Sequence, residues 1–107
     1  MKLELHGKGV RITKRLRDHV DRRLRYALSR FGDRVRRVRV LVQDLNGPRG
    51  GEDIRCHIHA WLAPAEMVLV QETRSDPFHA VARASERVGH SCARRLRRFR
   101  DRRRGRG

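Results

Sequence analysis

Residues 54–99 read IRCHIHAWLAPAEMVLVQETRSDPFHAVARASERVGHSCARRLRRF, and partway along them the apolar spacing changes. From 54 to 62 it is two. Ile54, Cys56, Ile58, Ala60 and Leu62 share one side, and Arg55, His57, His59 and Trp61 share the other, the pattern of a half-buried strand. Ala63-Pro64-Ala65 makes a tight connection, and residues 66–73 form a further strand paired back as a hairpin. Asp76 is then a helix N-cap, with Pro77 in the favoured first-turn position. Beyond it the spacing becomes three and four: Phe78, Val81, Ser85, Val88, Cys92, Leu96 and Phe99. Arg83, Arg87, His90, Arg94, Arg97 and Arg98 follow the same steps out of phase. With 3.6 residues per turn, the two sets occupy opposite faces of one helix.

Reading back toward the N-terminus, residues 2–6 alternate around Leu3 and Leu5 and predict a short strand. Gly7 and Gly9 mark a turn. Thr13 predicts the N-cap of a helix whose buried face is Leu16, Val20, Leu24, Leu28 and Phe31, with Gly32 as its end. Residues 35–45 alternate, with Val38, Val40 and Val42 on one side and Arg37, Arg39, Leu41 and Gln43 on the other. NGPRGGED at 46–53 is a loop. The order β-α-β-β-β-α predicts an α+β fold: a two-layer sandwich, a four-stranded sheet with two helices packed on one face. Residues 1–100 are expected to form one domain, and the Arg-rich residues 101–107 a disordered tail.

The 107 residues carry a net charge of +16, and only three of the 28 basic residues are lysine. Arginine binds phosphate through two N–H groups and stacks on bases, which lysine does not. A GC-rich coding sequence would also favour Arg codons; that explains the ratio but not the total charge. Residues 75–107 hold about half of the excess, so this is not a neutral body with a basic tail. No apolar run is long enough to span a membrane, and MKLELHGKGV is too polar for a signal peptide. A cytoplasmic protein is expected, with Cys56 and Cys92 reduced, buried and inert. His57 and His59 lack further ligands at metal spacing. No nucleophile, base and carboxylate combine as a catalytic set. No enzyme activity, metal, cofactor or small-molecule substrate is expected.

Charge of one sign along a helix repels itself unless a polyanion neutralises it. The last-helix row therefore reads as a nucleic-acid contact surface, with a merely solvated face as the alternative. Arg15, Arg22, Arg25 and Arg30 point away from the apolar side of the first helix, with Arg17 and Arg23 at its flanks; Asp18 and Asp21 dilute that surface. The face bearing His57, His59 and Trp61 reads either as a base-stacking platform or as ordinary cross-strand packing.

Four segments carry a family resemblance: GKGVRITKRLRDHVDRRL, FGDRVRRVRVLV, NGPRGGEDIRCHI and SDPFHAVARASERV. In this order and spacing, over about residues 2–100, the chain resembles the ribosome hibernation-promoting factor and ribosome-associated inhibitor family, also called the sigma-54 modulation protein family. The resemblance implies a partner, the small ribosomal subunit and its rRNA, bound in the mRNA and tRNA channel so that idle ribosomes are silenced. It implies basic contacts at Arg17 and Arg23 and at Arg87 and Arg94. His90 stands where a basic residue is common, and Pro77 and His79 depart from the family's small or apolar residues. The RNA-binding set expected from charge and resemblance together is Arg17, Arg22, Arg23, Arg83, Arg87, His90, Arg94, Arg97 and Arg98. Without the ribosome-dimerising domain of long members, the chain is expected to act as a short form and a monomer. A general RNA-binding protein or RNA chaperone is the rival reading, and a DNA-associated basic protein a second.

Overall fold

Thr13 starts the first helix as its side chain predicts: Thr13 Oγ1 accepts a hydrogen bond from the Leu16 N–H at 3.2 Å, satisfying one of the first-turn donors. Asp76 does the same for the last helix, with Oδ1 accepting from the His79 N–H at 2.9 Å. The computed structural model describes residues 1–46, 53–64 and 66–105. Its elements are β1 (Lys2–Lys8), α1 (Lys14–Leu28), a 3₁₀ turn (Ser29–Arg34), β2 (Val35–Asp44), β3 (Ile54–Leu62), β4 (Glu66–Arg74) and α2 (Pro77–Gly105).

The sheet runs β1-β2-β3-β4, with β1 parallel to β2 and the other neighbours antiparallel. This is the expected α+β sandwich. Val38, Val40, Val42, Cys56, Ile58, Ala60, Leu62, Val68 and Val70 turn toward the helices and are buried. They meet Leu16, Val20, Leu24 and Leu28 of α1 and Val81, Ala84, Val88, Cys92 and Leu96 of α2 in one core. Each large side chain buried there contributes about 1.5–3 kcal/mol. An irregularity between Val35 and Arg37 lets Val35 join the buried side, although it lies three residues from Val38.

Three boundaries differ from the expected ones. Gly7 stays in β1 rather than starting a turn; a Cβ there would come within 2.4 Å of the Val10 carbonyl oxygen, so the following loop folds tightly against the strand. α1 ends at Leu28 rather than at Gly32. The chain first tightens into the 3₁₀ turn, and Gly32, at φ 55°, bends it toward β2. The third difference is the tail. Residues 101–105 continue α2. Arg is a good helix former, and lengthening an existing helix adds a hydrogen bond for each residue fixed. Residues 106 and 107, with Arg49 and the rest of 47–52, lie outside the described residues.

Candidate nucleic-acid interface

The two helices lie side by side and run in the same direction. His19 Nε2 donates to the Phe78 carbonyl at 2.9 Å, and the two rings meet edge-on with centroids 5.1 Å apart. Further along, Ala27 packs against Gly89; a Cβ on Gly89 would stand 3.2 Å from the Ala27 carbonyl oxygen. Beyond that, Arg30 and Phe31 adjoin Ala93, Leu96 and Arg97. α2, with 29 residues against 15 in α1, then continues past its neighbour.

Close approach at Gly89 leaves a groove of about 500 Å³ between the helices, with Arg23, Arg30, Glu86 and His90 on its walls. Ser85 is buried in this groove's lining, and its Oγ has no hydrogen-bond partner among the described residues. Tyr26 stands on the rim with 87% of its surface exposed. A large aromatic ring so placed, beside guanidinium groups, offers a flat stacking surface. Sequence reading passed over Tyr26 because it lies off the apolar stripe. The signal was there, in one ring set among basic residues.

All nine expected RNA-binding residues are exposed, but they are not equivalent. Arg83 pairs with Glu86 at 3.0 Å. Arg87 leans over the β4 edge, donating to the Gln71 carbonyl at 2.7 Å and to Glu72 at 3.1 Å. Arg94 donates to Ser91 Oγ at 3.2 Å. Arg22, Arg23, His90, Arg97 and Arg98 make no hydrogen bond or ion pair among the described residues. The fold brings Arg23 and His90 to one groove and sets Arg30 beside Arg97. Arg17 stands apart, about 120° round α1 from Arg23. Arg95 turns the other way and holds Glu66 of β4 at 2.8 Å.

Among the described residues, no helix covers the opposite side of the sheet. Among the described residues, no three His, Cys, Asp or Glu side chains converge as a metal site, and no helix is long and apolar enough to cross a membrane.

Fold and charge together define a small basic α+β protein with a cationic two-helix face. The family model described as Sigma 54 modulation protein / S30EA ribosomal protein matches residues 3–104, and the chain belongs to that family, which is ribosome-associated. Among solved structures, the Protein Y N-terminal domain of Thermus thermophilus is similar, with 26% identity, a TM-score of 0.74, and 88% of this chain and 98% of that one covered. A ribosomal subunit interface protein from Coxiella burnetii shares the fold at 14% identity and a TM-score of 0.77, over 90% of this chain and 98% of that one. No curated protein sequence matches the chain.

Proposed function

We propose that this chain is a cytoplasmic ribosome hibernation factor that binds the small ribosomal subunit along the mRNA and tRNA path and represses translation on idle ribosomes. The family supports the ribosome as partner. The carrying observation is the two-helix face, where Arg23, His90, Arg97 and Arg98 stand exposed along parallel helices, with no hydrogen bond or ion pair among the described residues. Phosphates drawn to this face release their counterions, which supplies affinity without reading sequence. Specificity then rests on the shape of folded rRNA. Arg22 and Arg94 extend the face, while Arg83 reaches phosphate by exchanging exposed Glu86 for another anion; such an exposed pair is weak, so the exchange is cheap. Arg87 is held harder, by the Gln71 carbonyl and by Glu72, whose side chain is only 13% exposed, and meets phosphate with its remaining N–H groups. Arg17 contacts a separate strand or the rim.

The test is co-sedimentation with purified small subunits at rising salt, with tRNA and duplex DNA as competitors. Saturation near one copy per subunit, resistant to competitor, is expected. Unsaturable binding stripped by tRNA would assign the charge to general RNA binding instead.

A further inference from the structure

The uncovered side of the sheet has its own chemistry. Strand register arranges it in rows. Lys2, Arg37, Trp61 and Met67 lie across one row, and Glu4, Arg39, His59 and Leu69 across the next. His6, Leu41, His57 and Gln71 follow, then Lys8, Gln43, Arg55 and Thr73. Neighbours within a row are about 5 Å apart, and successive rows about 7 Å apart.

Two properties of this grid stand out. The first is a cluster of π groups, with the His59 and Trp61 rings tilted 50° to one another. The Arg37 guanidinium lies 4.9 Å from the centroid of the Trp61 ring, and the His59 ring lies 5.7 Å from it on the same strand. The second is charge. Lys2, Lys8, Arg37, Arg39 and Arg55 stand against a single carboxylate, Glu4, which holds Arg37 at 2.9 Å and Arg39 at 3.3 Å. Beside the rings, Met67 and Leu69 are each 47% exposed on β4.

We propose that this open sheet face is a second RNA surface, separate from the helices, and that it takes an unpaired strand. Bases stack on the Trp61–His59–Arg37 group, with Met67 and Leu69 beside them, while Arg39, Arg55 and Lys8 meet the phosphates. Four-stranded sheets with rings on an open face hold unpaired bases in this way, and base stacking tolerates any sequence because every base has a π-face. A protein partner would suit Met67 and Leu69 but would need its own acidic residues opposite five cations. A polynucleotide supplies flat apolar bases and regular negative charge together. The inference does not depend on the ribosome, because the strand is recognised by this chemistry alone.

Trp61 is the only tryptophan, so the intrinsic fluorescence of the full chain reports from this face. Titration with short single-stranded oligo(U) and oligo(A) is expected to quench it, and a duplex RNA of equal length is expected not to. Arg39→Glu with Arg55→Glu should abolish the quenching, whereas Arg97→Glu with Arg98→Glu should leave it. By anisotropy of a labelled oligonucleotide, Trp61→Ala should weaken binding about tenfold, within the range for one stacked base. Trp61→Phe should restore most of it, which separates stacking from a folding defect. Equal quenching by duplex, or loss of quenching in the α2 variant alone, would overturn the proposal. So would loss of ribosome binding in the Arg39/Arg55 variant with no quenching by any RNA; the face would then belong to a protein partner. Failure of subunit co-sedimentation alongside intact quenching would refute the hibernation reading and leave this one standing.

Discussion

The helix face and the open sheet face are both rich in arginine, yet they hold it differently. On α2, Arg97 and Arg98 project from one helix with no hydrogen bond or ion pair among the described residues, and their charges reinforce one another. Across the sheet, Arg37 and Arg39 are tied to Glu4, and Arg37 also covers Trp61. A helix presents side chains every third or fourth residue along one line, where like charges accumulate. A sheet sets strands of different sequence side by side, so a single glutamate on β1 can restrain two arginines on β2. The same residue type therefore forms a free cationic ridge on one side and an ordered, ring-bearing surface on the other.

The two faces are opposite sides of one tight slab, and the cysteines between them test that. Burial pushes the Cys56 thiol up to about 12; for Cys92 burial outweighs nearby Arg30 and Arg95 and leaves it at about 11. Against an ordinary value of 9.0, the neutral-pH thiolate population falls by about two to three orders of magnitude. Iodoacetamide labelling followed by mass spectrometry should show both thiols protected in native protein and reactive in denaturant. Fast native labelling would mean that the layers open.

Next in size is charge reversal on the ridge. Arg97→Glu with Arg98→Glu should weaken small-subunit binding by about a hundredfold and lower the slope of log K against log salt by about two. Arg39→Glu should change that binding far less. Equal losses from the two faces would erase the distinction between them.

A smaller effect is expected where the helices touch. Gly89→Val pushes a branched side chain toward the Ala27 carbonyl oxygen and should destabilise the fold by about 1–3 kcal/mol, read as a lowered Tm. An unchanged melt would show that the helices can part without loss.

The smallest effects are titrations on the sheet. Partial burial pushes the Glu4 carboxyl up, but hydrogen bonds and charge from Arg37, then Arg39, outweigh it and hold the group below its ordinary 4.5. Its stabilising contribution is present above that value and is lost as pH falls through the depressed one. Glu4→Gln should flatten this part of the acid-unfolding curve. His57 moves down from 6.5, first through burial and then through Arg55 and His59. Folding therefore opposes its protonation, and stability declines as pH drops below 6.5. An NMR titration should place its midpoint below that value; a midpoint above it would put an unrecognised anion on this face.

Much of the architecture was legible in the residues. Period two in β2 and β3, period 3.6 in α1 and α2, and the Thr13 and Asp76 caps all follow from local stereochemistry, and each is found where expected. The end of α2 was not legible, because Arg-rich sequence reads as disorder when considered alone, while an established helix propagates through it. The expected RNA-binding residues were legible as a charged face, and all nine are exposed. Their pairing was hidden. Arg87 and Glu72 are fifteen residues apart, and only the packing of α2 over β4 brings them to 3.1 Å.

By itself the sequence determined the elements, the faces they bury, the sign of the surface and the family. Those depend on spacing along the chain and on residue chemistry. Tertiary structure alone decided which arginines are free, that Tyr26 and His90 border one groove, and that Arg37 lies over Trp61 with Glu4 holding it. Each of these joins residues from different elements. Such distances are set by strand register and by the approach of helices at Gly89, which no periodicity within one segment encodes.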